Sequence, residues 1–109
     1  MNMGMFEKVE FKLPQRWKLN YNKLLKVNPD AITSEDDERW CKFSEDILNM
    51  VNSEHNILLD VGWYPEFSID GHFGLIVIEN NEWQRPLETF VTRNIQKLTE
   101  KILLIVNKY

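Results

Sequence analysis

Hydrophobic and polar positions change their spacing several times along this chain, and each change predicts an element. From Ile57 to Tyr64, the residues Ile57, Leu59, Val61 and Trp63 recur at every second position, the period of a strand with one buried face. From His72 to Glu79, Phe73, Leu75 and Val77 alternate with Gly74, Ile76 and Ile78, so both faces are largely apolar. Such a strand belongs near the middle of a sheet. Both runs are rich in β-branched and aromatic residues, and the polar segment between them ends in Asp70-Gly71, a turn signal. The rest of the chain is read around this pair. Phe6–Leu13 alternates, with Val9, Phe11 and Leu13 on one face, and predicts a half-buried strand. Pro14-Gln15-Arg16 breaks it. Trp17, Leu19 and Tyr21 then alternate with Lys18, Asn20 and Asn22, which predicts a second strand antiparallel to the first. Lys23–Ile32, with its Asn28-Pro29-Asp30 turn signal, reads as a loop with some buried aliphatics.

The spacing then becomes helical. Ser34 is a good N-cap, with Asp37 three residues on in the manner of a capping box; Thr33 with Asp36 is the alternative register. Glu35, Asp36, Asp37 and Glu38 load the first turn, where the helix dipole favours carboxylates. Trp40, Phe43, Ile47 and Met50 or Val51 form an apolar stripe, and the helix is expected to end near Asn52-Ser53. Beyond the central hairpin, Leu87–Val91 predicts a short strand. Thr92 is the expected cap of a last helix from Arg93 to about Asn107, with Ile95, Leu98, Ile102 and Ile105 or Val106 as its stripe. The order β-β-α-β-β-β-α implies one α+β domain over residues 1–109. It would be a mainly antiparallel sheet of four to five strands with two amphipathic helices packed on one face.

Composition alters this picture little. A chain of 109 residues can bury roughly two thirds of its unfolded surface, and an apolar fraction of 43% argues against disorder. The opening MNMGMFEKVEF lacks a long apolar run after a basic start, and no apolar run approaches the ~20 residues that cross a bilayer. The single cysteine, Cys41, makes no internal disulfide and suits a reducing compartment. A cytoplasmic address with no membrane contact is the expectation.

Charge alters it more. Residues 1–27 sum to +4, residues 28–84 to −11 and residues 85–109 to +3, with no Lys or Arg between Lys42 and Arg85. Two readings stay open. Folding can interleave the acids with the basic ends, or the middle can present an acidic surface that steers and holds a basic partner. Nucleic acid is not expected as a partner, because phosphates call for a basic footprint.

Motifs of catalysis are wanting. Cys41 with His55 or His72 could supply a nucleophile and base, but Cys41 falls mid-helix beside the apolar stripe and reads as a small buried residue. Two histidines and one cysteine make no zinc pattern, even with Asp60 or Asp70 recruited. Gly62, Gly71 and Gly74 make no phosphate loop. Asp60, an acid inside an apolar strand, reads as pointing outward from the sheet's open face; a carboxylate pair with Asp70 or Glu66 is the alternative. No catalytic residue, metal or cofactor is assigned, and a non-enzymatic binding protein is the expectation.

A family resemblance sharpens this. Asp60–Glu66 reads DVGWYPE and Asp70–Ile78 reads DGHFGLIVI. They are followed by Trp83, Pro86-Leu87, Phe90 and Thr92-Arg93 at the last helix. With Trp17-x-Leu19-x-Tyr21-Asn22 and Asn28-Pro29 upstream, most of the chain resembles the small immunity proteins of bacterial contact-dependent growth inhibition and related polymorphic toxin systems. The resemblance implies a non-enzymatic inhibitor that binds one cognate toxin domain, often a nuclease, and blocks its active site or substrate surface; a monomer that forms a 1:1 complex is the expectation. It does not say which residues touch the toxin. The acids supply candidates: Glu35, Asp36, Asp37 and Glu38 with Asp60, Glu66 and Asp70. Tyr64 and Phe67, flanking Pro65, are the candidate aromatic anchors, whereas the parity of Trp63 places it in the core. Two further readings are a regulatory or adaptor domain that dimerises through an exposed sheet face or edge, and a hydrolase using Asp60 and His72.

Overall fold

A computed structural model describes residues 6–109. Five strands form one antiparallel meander: β1 (Trp17–Asn22), β2 (Leu48–Asn52), β3 (Ile57–Tyr64), β4 (His72–Glu79) and β5 (Glu88–Thr92), in that spatial order. One helix, α1 (Ile95–Lys108), follows. The fold is α+β, as expected, with one helix rather than two.

The helix expected from Ser34 to about Asn52 is replaced by a 3-10 turn, Glu38–Lys42, and by β2. Two period-2 and period-3 patterns had merged into an apparent helical stripe. Trp40 and Phe43 lie three residues apart across the 3-10 turn and its cap, while Leu48 and Met50 alternate with Asn49 and Val51 along a strand. Side chains hold the intervening backbone away from a helical ladder. Ser34 Oγ accepts from the Asp36 amide, the Asp37 carboxylate caps the Arg39 amide, and Ser44 Oγ accepts from the Asp46 amide.

The first expected strand is also corrected. Phe6–Leu13 makes one isolated bridge, Lys8 with Leu25. Val9, Phe11 and Leu13 are nevertheless partly buried against the core, so the alternation reported one-sided burial without strand pairing. At the other end the helix cap is Asn94, whose side chain accepts from the Lys97 amide; Thr92 instead accepts from Asn94.

One face of the sheet carries the core. Trp17, Met50, Leu59, Val61, Trp63, Phe73, Leu75 and Val77 are buried with Leu98, Ile102, Ile105 and Val106 of α1. Near the β3–β4 turn, Trp40, Phe43, Trp63 and Phe73 stack edge to face, with centroid separations of 4.8–4.9 Å between successive rings. Buried indoles keep their hydrogen bonds: Trp63 donates to the Ser68 carbonyl at 2.7 Å and Trp40 to the Ser34 carbonyl at 2.8 Å.

The helix is tied down at its C-terminal end, where carbonyls lack intrahelical partners. Val106 accepts from Trp17 Nε1 at 3.0 Å and from Arg16 at 2.9 Å, and Tyr109 accepts from Arg16 and Asn52. Glu88 of β5 receives Lys101 at 2.9 Å, the Tyr109 hydroxyl at 2.8 Å and Lys108 at 3.2 Å. Hydrogen bonding from Lys101, aided by Tyr109 and Lys108, pulls the Glu88 carboxyl from 4.5 down to about 2. A carboxyl depressed on folding stabilises the folded state above its unfolded pKa and loses that contribution as pH falls through the folded one. Glu88→Gln should therefore cost about 1–2 kcal/mol at neutral pH in urea unfolding, allowing for solvent screening of a surface cluster. Its deficit against the parent should vanish as pH falls from 4.5 towards 2.

Candidate functional site

Among the described residues no helix lies over the second face of the sheet. Cross-strand pairing aligns Tyr21, Asn49, Asp60, Ile76 and Thr89 in one row, Lys18, Val51, Leu58 and Ile78 in the next, and Gly62, Gly74 and Val91 in a third. Tyr21 reaches this face because the β1–β2 register shifts between Leu19 and Tyr21. A bulge of this kind turns a side chain to the opposite face. The plain alternation of Trp17, Leu19 and Tyr21 expected from sequence is broken there.

A polar cluster occupies the middle of the face. Asn20 donates to Asn49 at 2.8 Å and Asn49 donates to the Asp60 carboxylate at 3.0 Å. The Tyr21 hydroxyl lies 3.4 Å from Asp46. Tyr64 folds back so that its ring lies against both Gly62 and Gly74. Gly62 admits no side chain for a second reason: a Cβ there would collide with the Glu45 backbone carbonyl, which crosses close over β3. That crossing carries Glu45 and Asp46 onto the rim of the face, and the Glu66 carboxylate comes within 3.4 Å of the Glu45 amide.

Burial dominates the electrostatics of this cluster. It raises the Asp60 carboxyl above its usual range despite the bond from Asn49, and the Asp46 charge adds to the rise. Burial, then the charges of Asp60 and Asp46, push the Tyr21 hydroxyl up to about 12. Tyr64 is raised by burial and then by Asp60, Glu45 and Asp46. Both phenols are thus proton-bearing donors at neutral pH, set among carboxylate acceptors.

The two sides of the sheet differ in how their acids are used. On the core side Asp37 pairs with Arg39 at 2.8 Å, Asp30 with Arg93 at 3.0 Å, and Glu88 with Lys101 and Lys108. The Arg39 hydrogen bond brings Asp37 down to about 2. Among the described residues, Glu45, Asp46, Asp60 and Glu66 have no such partner, and neither do Glu35, Asp36 and Glu38; Lys23 stands over the Tyr21 ring at 5.8 Å rather than on a carboxylate.

The sequence candidates therefore divide. Asp60, Tyr64 and Glu66 gather on and beside the open face, with Tyr64 39% exposed. Phe67, 52% exposed with φ 63°, and Asp70 are exposed on the β3–β4 loop, which packs by its Ser68 carbonyl and Gly71 on the Trp63 indole, on the core side. Glu35, Asp36, Asp37 and Glu38 are not brought to them. They ride the segment that seats Trp40 against Trp63, on the core side. Sequence reasoning missed Tyr21, Glu45, Asp46, Asn49 and Trp83. The first four depend on the bulge and on reading Leu48–Asn52 as strand; Trp83, 50% exposed, depends on how the β4–β5 loop folds back.

Enzyme-like constellations do not assemble from the residues considered. Cys41 is exposed on the 3-10 turn, a correction to its expected burial in a helix. Asp60 pairs with Ile76 and His72 with Tyr64, so Asp60 and His72 stand four residues apart along the hairpin. At ~3.3 Å per residue that is roughly 13 Å, too far for proton exchange. Among the described residues no group of three His, Cys, Asp or Glu is placed to hold a metal ion, and no helix is long and apolar enough to cross a membrane. Comparison with protein-family models, curated proteins and solved structures finds no match to this chain.

An ionised Asp60 with a raised pKa opposes folding at neutral pH, and the penalty fades as falling pH protonates it. Asp60→Asn, which keeps the acceptor for Asn49, should unfold at higher urea concentration than the parent at neutral pH. The gain should shrink as pH is lowered into the carboxylate range.

Proposed function

We propose that this chain is an immunity protein. It binds a cognate toxin domain, a nuclease with a basic substrate surface, and neutralises it by covering that surface with the open face of the sheet. The carrying observation is a cluster of charge: Glu45, Asp46, Asp60 and Glu66 gather on and around the open face without ion-pair partners, beside the exposed rings of Tyr64 and Trp83, whereas Asp30, Asp37 and Glu88 on the core side are each paired. Unpaired like charges on one face cost stability in the free protein and are repaid when a basic surface arrives. Tyr64, Trp83 and Phe67 supply the exposed aromatic area that hot spots draw on. The chain contributes no reaction in this reading, needs no cofactor, and acts in the cytoplasm as a monomer in a 1:1 complex.

A second reading, a domain acting through homodimerisation, draws on β5: it is an edge strand, and its Val91 is 62% exposed. Sedimentation separates the two, since the first requires a monomer that becomes 1:1 with toxin.

The test needs a nuclease toxin domain that this chain neutralises, to be sought in the reading frame directly upstream of its gene. Glu45→Lys with Glu66→Lys should weaken binding roughly a hundredfold, about 2–3 kcal/mol, and restore nuclease activity in the mixture. Glu35→Lys with Glu38→Lys should shift affinity by less than about fivefold. Undiminished binding by the first pair rejects the open face as the contact.

A further inference from the structure

On the uncovered face lies a slot of about 350 Å³ between the Tyr64 ring and the β4–β5 loop. Gly74 and Ile76 form its floor, at alternate positions of β4. Val91, paired with Gly74, bounds one side, and the Tyr64 ring lies against Gly74 on the other. Asp60 sits beside Ile76 across the β3–β4 pair, and Trp83 closes the slot from the loop. Its walls are thus aromatic and aliphatic, with a carboxylate at one corner and no Lys or Arg among its lining residues.

The occupant can be narrowed by chemistry. A neutral aliphatic group would desolvate the Asp60 carboxylate further and give it no countercharge beyond its hydrogen bond from Asn49, and an anion would be repelled by it. One carboxylate is too few ligands for a metal ion. A long side chain ending in a cation meets every demand. Its stem lies along Ile76 and Val91, and its head reaches Asp60 while facing aromatic rings. A planar guanidinium serves better than an ammonium, because it stacks on ring faces and presents paired N–H donors to a carboxylate.

We infer that this slot receives one arginine side chain of the partner protein, anchored by Asp60 and held between Tyr64 and Trp83. The assignment rests on the reading of the open face as the toxin-binding surface and specifies the residue type that the toxin must present there. Gly74 then has a function beyond fit, since any larger side chain would fill the floor.

N-acetyl-arginine amide, titrated into the isotope-labelled protein and followed by NMR, tests this without a toxin. Saturable shifts should centre on the Trp83 indole N–H and the Gly74 amide, with a dissociation constant in the millimolar range. Asp60→Asn and Trp83→Ala should each weaken binding by about tenfold or more. Trp83 is half-exposed, so its truncation leaves the core intact. N-acetyl-citrulline amide, of the same shape without the charge, should not saturate the site. The assignment is overturned if no saturable shifts appear, if citrulline matches arginine, or if the shifts centre on Glu45 and Glu66 and survive Asp60→Asn. Any of these would leave the charge-reversal experiment with the toxin to stand or fall on its own.

Discussion

A five-stranded sheet has two faces, and this chain covers one of them with a helix. That inequality governs the molecule. The single amphipathic stripe of α1 and the aromatic cluster under the Trp40 turn seal one side, and the hydrogen bonds from Arg16, Trp17 and Asn52 fix the helix where it lies. The other side must be made tolerable to water by its own residues. Asn20, Asn49, Asp60 and the two tyrosines do this in the middle, while Trp83 folds in from the β4–β5 loop to cover part of what remains. An acid can sit in the centre of a sheet only because that face is open.

The same asymmetry sorts the charges. A formal charge of −11 across residues 28–84 left open either interleaving with the basic ends or one acidic surface, and folding divides the acids between the two sides of the sheet. The run Glu35–Glu38 decorates the 3-10 segment on the core side, where Asp37 is consumed by Arg39. Glu45, Asp46, Asp60 and Glu66 have no ion pair on the open face, and burial raises the Asp60 carboxyl above its usual range. An arrangement that opposes folding in the free protein is one that the proposed partner would relieve.

Much of the sheet was legible in the sequence. β3 and β4 match their expected bounds because eight-residue runs of alternating Val, Ile, Leu and aromatics admit no helical reading, and β5 and α1 fall within two residues of expectation. The stretch Ser34–Asn52 failed because Trp40, Phe43, Ile47 and Met50 satisfy helical spacing by accident. Local side-chain bonds from Ser34, Asp37 and Ser44 decide the backbone there, and their geometry is not written in the apolar pattern. Within the site, strand parity was enough to place Asp60 outward and Trp63 inward. Tyr21 needed knowledge of a bulge, and Glu45 and Asp46 needed the close crossing that Gly62 permits.

The most direct test of the central claim, that the unpaired carboxylates of the open face are the ones a partner covers, is carbodiimide labelling of carboxylates followed by mass spectrometry. It is done on the free protein and on its complex with the toxin domain. Protection on complex formation confined to Glu45, Asp46, Asp60 and Glu66, with Glu35, Asp36 and Glu38 labelled as before, is the predicted result. Protection of Glu35, Asp36 and Glu38 with the open face still labelled would contradict it.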